Sequence, residues 1–322
     1  MILAGIDIGT NAIRLLVAEI GGTTFRTLHA ARTITRLGED LDRTGVLSPA
    51  SQERALAVLS GFRGIIARFR PARTVAVGTS ALRKAANTAG FVSSVKDRCG
   101  LDIEVISGEE EARFTLLGVR RALGRGGAGR GDPLATSVVT DIGGGSTELI
   151  VTRAGTVEDA ASYHLGAVYL TERCLRHDPP HPAELDLLRA QVRQDLDAWE
   201  RERLRPRGMA AAETGVLAGT AGTVTTLAAM DLQLRAYDQD RINGHRLARR
   251  ALDRIVEDLA QRSVSGRRGL PGLEQGREDI ILAGAVICQE LMERCKADEM
   301  LVSDWSLREG LLFDLSDSLR EA

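Results

Sequence analysis

The sequence predicts an α/β protein built from two repeated halves, and three observations predict it. The first is the stretch Thr140-Asp141-Ile142-Gly143-Gly144-Gly145-Ser146-Thr147-Glu148, which reads as strand, glycine turn, strand. The second is a near copy at the N-terminus, Ile6-Asp7-Ile8-Gly9-Thr10-Asn11-Ala12-Ile13-Arg14. The third is a pattern of short β-branched runs and helical apolar periods along 322 residues, a length that suits two domains of ordinary size.

In the central stretch, Ser137 to Asp141 is rich in β-branched residues and Thr147 to Thr152 is again mostly β-branched or aliphatic. The three glycines between them sit where the backbone must reverse. Successive N–H groups with no Cβ in the way form a concave donor surface for an anion, and the hydroxyls of Ser146 and Thr147 add to it. Phosphate is the expected guest. Asp141 and Glu148 flank the same turn, and two carboxylates beside a phosphate repel it unless a divalent cation lies between them. The stretch therefore predicts metal as well as phosphate.

Three glycines also suit a merely flexible hairpin, and the second copy argues against that plainer reading. The two stretches superpose without a gap: Asp7 falls on Asp141, Gly9 on Gly143, Leu15 on Leu149 and Val17 on Val151. By this superposition Asp7 is a third candidate carboxylate for metal, and Gly9, Thr10 and Asn11 form a second candidate phosphate loop. The informative mismatch is Arg14 against Glu148. One copy offers a cation where the other offers an anion, as expected for two halves of one site that have divided the work.

Composition narrows the function classes. The hydrophobic share of 43% and the net charge of -2 belong to a globular chain with no global field for nucleic acid or membrane. The only lysines are Lys84, Lys96 and Lys296, and none follows a glycine, so a Gly-Lys-Ser/Thr nucleotide loop is excluded. The cysteines Cys99, Cys174, Cys288 and Cys295 are scattered and suggest core thiols rather than disulfides or zinc. No leader pattern opens the chain and no run approaches a membrane span, so a cytoplasmic location is expected.

Taken in order, strands are expected at 2–8, 13–20 and near Thr24–Ala31, with Gly21-Gly22 as a reversal. Ser48-Pro49 caps a helix whose apolar period runs from Leu56 to Phe69. A strand over Thr74–Val77 ends in Gly78-Thr79-Ser80-Ala81-Leu82-Arg83, which places Arg83 in the first turn of a helix. A cation is misplaced there unless an anion is present or a nearby acid pairs with it. The strand Ile103–Ile106 meets Ser107-Gly108-Glu109-Glu110-Glu111. Ser107 and Glu110 have capping-box spacing, yet three acids exceed what a cap needs and leave one as a general base. Residues 124–133 form a Gly-rich linker. His177 and His181 lie in a proline loop, so their spacing does not imply a metal site. Gly219-Thr220-Ala221-Gly222-Thr223 is a third glycine loop, from strand to helix, able to present amides and hydroxyls to a phosphate or to a nucleotide. Residues 246–262 are expected as one basic helix, either a solvated face or a guide for a polyanion. A strand over Met300–Val302 and a terminal helix close the chain, with Arg308 near the helix start.

These motifs occur together, and in the same order, in a known family. Paired Asp-x-Gly hairpins in repeated α/β halves resemble the actin, sugar-kinase and heat-shock ATPase superfamily. More narrowly, the two loops, Thr79 to Arg83, Ser107 to Ala112, Gly219 to Thr223 and Ser303 to Gly310 resemble the exopolyphosphatase and guanosine pentaphosphate phosphatase family over nearly the whole chain. The resemblance implies two RNase-H-like (actin-like ATPase) domains with the site in a cleft between them. They are residues 1–123 with the helix 304–322 packing back, and residues 134–303. It implies Mg2+ or another divalent cation, and hydrolysis of a terminal phosphoanhydride of polyphosphate. Guanosine pentaphosphate hydrolysis, a guanosine polyphosphate sensor and an actin-like ATPase are the alternatives. It assigns the catalytic glutamate to Glu110 or Glu111, with Glu111 favoured, and phosphate binding to Arg83. It assigns Asp141 and Glu148 to metal, Gly143, Gly144, Gly145 and Ser146 to phosphate, and a homodimer to the assembly. Ala12, where the family often has Ser or Thr, removes one hydroxyl from the first loop.

Overall fold

A computed structural model describes residues 1–21, 24–124, 132 and 134–321. It divides into two compact units, Met1–Gly118 with Leu307–Ala322, and Val119–Ser306. The expected reversal at Gly21-Gly22 and linker at 124–133 fall largely on residues outside those described.

The first unit holds a five-stranded sheet of β1 (Ile2–Ile8), β2 (Ala12–Gly21), β3 (Thr24–Ile34), β4 (Arg73–Gly78) and β5 (Ile103–Val105), in the order β3-β2-β1-β4-β5. β2 runs antiparallel to both β1 and β3, while β4 and β5 continue the sheet parallel to β1. β1 is buried from Leu3 onward, as expected of a central strand covered on both faces. The helix Pro49–Phe69 starts as its sequence demands, with Pro49 in the first turn and the Ser48 hydroxyl accepting from the Ser51 amide at 3.1 Å. It buries Leu56, Leu59, Phe62 and Ile66 against the sheet core.

The chain's last helix, Leu307–Glu321, belongs to this unit, and Leu307 and Leu311 share a cluster with Val77, Ile106 and Phe114. Gly310 lets it approach the helix Gly108–Leu123 so closely that a Cβ would overlap the Phe114 carbonyl. Backbone cannot swing aside as a side chain can. Gly310→Ala is therefore expected to destabilise the protein by roughly 1–3 kcal/mol or more, read from the urea midpoint; an unchanged midpoint would contradict this packing.

The second unit repeats the plan. Its strands are β6 (Ser137–Ile142), β7 (Thr147–Arg153), β8 (Thr156–Tyr163), β9 (Val216–Thr220), β10 (Arg246–Ala248) and β11 (Glu299–Val302), in the order β10-β11-β9-β6-β7-β8. From β8 to β11 this order matches that from β3 to β5, so the sequence repeat is a repeat of topology. Each half is an RNase-H-like sheet with one edge strand, β10, added to the second. The core lies around the buried helix Ile281–Arg294, with Trp199 and Leu196 from the helix Pro182–Trp199.

Two expectations need correction. Residues 246–262 are not one helix: Arg246–Ala248 pairs antiparallel with β11, and the helix is Arg249–Gln261. Arg246 pairs with Glu299, Arg249 with Glu293 and Arg262 with Asp258, so much of the expected basic face is neutralised locally. The second correction is Arg83. The helix Ser80–Lys84 is so short that Arg83 lies in its last turn, and Thr79 makes no side-chain cap bond. All four cysteines are free and buried, as expected. Among the described residues, no helix is long and apolar enough to cross a membrane.

Candidate active site

In the first unit the candidate residues gather where β1, β4 and β5 end. The Thr79 amide donates to the Ile8 carbonyl and the Ile106 amide to the Gly78 carbonyl, which joins the three strand ends. Loops at this edge are where α/β sheets place ligands. Arg83 donates from Nη1 to Glu111 Oε2 at 2.6 Å and to the Ile106 carbonyl at 3.1 Å. The pair is largely withdrawn from water, with side-chain exposures of 21% and 9%. The arginine thus meets an acid, the plainer of its two expected partners, and that acid is the favoured candidate base.

Glu110 and Glu111 are neighbours with different surroundings. Glu110 is exposed and closes a capping box: its Oε2 accepts from the Ser107 amide at 2.8 Å, and the Glu110 amide donates to the Ser107 hydroxyl at 3.1 Å. The Ser107 amide bond holds its carboxyl below the usual range. Glu111 is turned inward, onto Arg83.

The first hairpin brings Asp7 opposite Arg14 in the β1–β2 register. Asp7, Thr10 and Asn11 are all buried, and the Asn11 carbonyl accepts from the Thr35 and Arg36 amides. Arg308, in the first turn of the last helix, donates to Glu309 at 3.3 Å and to the Leu15 carbonyl at 3.5 Å, and its charge acts on Asp7. Burial pushes the Asp7 carboxyl up, against the pull of Arg14 and then Arg308. An acid whose folded pKa is raised contributes stability that is full below its unfolded value, about 4, and lost as pH rises through the folded value. Charged Asp7 is therefore a net cost at neutral pH. Asp7→Asn is expected to raise Tm in chelator-treated protein at about pH 7, with the gain fading as pH falls toward 4. Melting curves across that range check it, and a lower Tm at neutral pH would contradict it.

In the second unit, cross-strand register builds one polar row. Asp141 on β6 stands opposite Glu148 on β7, Glu148 opposite Ser162 on β8, and Asp141 beside Thr220 on β9. Register partners share a face of the sheet, so all four side chains point the same way. Asp141 and Glu148 are buried, at 7% and 1% exposure. Glu148 Oε1 accepts from the Ser146 hydroxyl at 2.9 Å and from the Ser162 hydroxyl at 2.7 Å. The Thr220 hydroxyl donates to the Trp305 carbonyl at 3.0 Å, which ties the third glycine loop to the segment after β11.

Two of the glycine amides are taken up within their own turns. The Gly9 amide donates to the Ala12 carbonyl at 3.1 Å and the Gly143 amide to the Ser146 carbonyl at 3.0 Å, so each closes its own turn rather than facing outward. Neither has a positive φ. What Gly143 supplies is room, since a Cβ would come to 3.0 Å from the Ser146 carbonyl. The Gly143 and Gly144 carbonyls accept amides at the start of the helix Ala167–Cys174, and a Cβ on Gly166 would overlap the Gly144 carbonyl. The turn is therefore fixed from behind. Gly219 and Gly222 flank the strand-to-helix step at Thr220, and Thr223 is buried in that helix's first turn. Ser162 was not legible in the sequence, because it sits between Ala161 and Tyr163 near the end of β8 with no motif of its own.

Two sheets of RNase-H-like order, each with a carboxylate at the end of its first strand and a tight hairpin after it, define a phosphoryl-handling protein of the actin-like class. Residues 16–319 match the Ppx/GppA phosphatase family, and the chain belongs to that family. Exopolyphosphatase 2 of Mycobacterium tuberculosis is 34% identical over 329 residues, with 98% of each chain covered. Among solved structures, the Aquifex aeolicus PPX-GPPA enzyme aligns with a TM-score of 0.79 at 31% identity, covering 98% of this chain and 99% of that one. An exopolyphosphatase from Cytophaga hutchinsonii aligns with a TM-score of 0.88 at 25% identity, covering 99% and 98%.

Proposed function

We propose that the protein is an exopolyphosphatase that releases terminal orthophosphate from inorganic polyphosphate by attack of water. The observation that carries the reading is the Arg83–Glu111 pair, which sets a buried carboxylate and a phosphate-seeking guanidinium 2.6 Å apart. Full-length similarity to a relative named exopolyphosphatase supports it.

A phosphoanhydride is thermodynamically ready to break but shielded by its own negative oxygens, so catalysis amounts to neutralising them and aiming a water in line. In this reading Glu111 accepts the water's proton at its carboxylate, and Arg83 keeps that carboxylate oriented and meets a phosphate oxygen. Glu110 serves the helix cap. In the first loop, Thr10 and Asn11 bind phosphate beside the Gly9 turn, with Arg14 and Arg308 supplying positive charge. Gly144, Gly145 and Ser146 do so in the second, and Thr220 to Thr223 in the third.

The donors at Asp141 and Glu148 fit a divalent cation. They are two hard carboxylates opposed across one hairpin, and two serine hydroxyls address Glu148 Oε1. Among the described residues no group of three or more His, Cys, Asp or Glu forms a ready-made metal cage. Mg2+ is ordinarily held through one or two carboxylates together with substrate phosphates. Bound by Asp141 and Glu148, Mg2+ would supply Lewis-acid neutralisation of the phosphate oxygens. Asp7 is the weaker metal candidate, since arginine charges act on it from two sides. A cytoplasmic homodimer belongs to the same proposal, and light scattering at twice the chain mass checks the assembly.

Phosphate release with Mg2+ from polyphosphates of several lengths, guanosine pentaphosphate and ATP tests the reading. Release from polyphosphate supports it. Release from guanosine pentaphosphate alone would move the function to nucleotide turnover, and release from neither would overturn the enzyme reading.

A further inference from the structure

We propose that Ser162 is a positioning residue that sets the orientation of Glu148 and thereby the affinity of the divalent cation. The inference rests on Glu148 being a cation ligand. Glu148 is almost wholly removed from water, and an ionised carboxylate there needs donors. Two of its donors are hydroxyls from different parts of the chain. Ser146 comes from the glycine turn, two residues away, and Ser162 from the next strand, 14 residues away. Both address Oε1.

That convergence has a directional consequence. A carboxylate held by one hydroxyl can still turn about its Cγ–Cδ bond, because that terminal torsion is soft. Two hydroxyls on the same oxygen, one from the turn and one across the sheet, together restrict that rotation. The β7–β8 register sets Ser162 directly opposite Glu148, so the clamp is built into strand pairing. The first unit has no counterpart: the residue on β3 in the equivalent row is Arg32, opposite Arg14. The hydroxyl therefore accompanies the carboxylate and not the repeat. Groups that orient a metal ligand from behind ordinarily change metal affinity by roughly 10–100-fold when removed.

The test is Mn2+ binding, followed by the electron paramagnetic resonance signal of free Mn2+ with no substrate present, in wild type, Ser162→Ala, Ser162→Thr and Glu148→Ala. Ser162→Ala is expected to weaken Mn2+ binding about 10-fold or more. It should raise the Mg2+ concentration for half-maximal phosphate release in step, with turnover partly restored at saturating Mg2+. Ser162→Thr keeps a hydroxyl and is expected to bind as wild type does. Wild-type affinity in Ser162→Ala, with affinity lost in Glu148→Ala, would overturn the role of Ser162 and leave Glu148 as the ligand. Unchanged affinity in Glu148→Ala would overturn the ligand reading itself. Equal losses in Ser162→Ala and Ser162→Thr, matched by equal falls in Tm, would reduce Ser162 to a structural part and also overturn the proposal.

Discussion

Replacing Glu111 by alanine is expected to lower turnover by roughly 10²-fold or more, with KM for polyphosphate little changed. Geometry supports this more strongly than the sequence did. Three successive acids open the helix after β5, and spacing alone does not separate them. In the folded chain Glu110 is committed to the Ser107 amide, while Glu111 is buried against Arg83. Glu110→Ala is accordingly expected to keep turnover within a few-fold of wild type and to lose roughly 0.3–1.5 kcal/mol of stability with its half of the capping box. Steady-state kinetics and urea unfolding of the two variants side by side check both halves. Near wild-type turnover in Glu111→Ala would remove it as the base, and a collapse in Glu110→Ala would transfer the role.

Asp141→Asn is expected to have the other large effect. A bound cation contributes several kcal/mol of charge neutralisation in the transition state, and each 1.36 kcal/mol is tenfold in rate. Removing half of an opposed carboxylate pair should therefore cost on the order of 10³-fold in turnover at moderate Mg2+. The Mg2+ dependence distinguishes this from simple damage. If Asp141 holds the cation, the activation curve moves to higher Mg2+ while Tm without metal stays close to wild type. An unchanged Mg2+ midpoint with low turnover would place Asp141 outside the cation's contacts.

How far the sequence led depends on how locally each feature is encoded. That Asp141 and Glu148 flank one tight turn, with Arg14 in the place of Glu148 in the copy, was legible because a tight hairpin fixes register through the turn itself. Chain-local chemistry also marked the Ser48 cap. Features set by distant partners were hidden. Arg83 finds Glu111 across 28 residues of chain, and no local pattern announces the pair. Arg246 continues a helical charge pattern, yet it pairs with β11 and becomes strand, a tertiary override of propensity. The hairpin glycines are expected from the sequence to offer amides to phosphate, but the amides of Gly9 and Gly143 close their own turns. The need there is for space against a neighbouring carbonyl, which is set by the folded turn. Ser162 carries no signature at all; its role follows from lying one strand beyond Glu148.

The most direct test of the central claim is to follow hydrolysis of polyphosphate of defined length by 31P nuclear magnetic resonance in 18O-labelled water with Mg2+. Attack of water on the terminal phosphorus predicts orthophosphate as the small product from the outset. One labelled oxygen from solvent should sit in that orthophosphate, and the remaining chain should carry none at its new end. Shorter polyphosphates appearing before orthophosphate, or label entering the chain end instead, would contradict terminal hydrolysis by this protein.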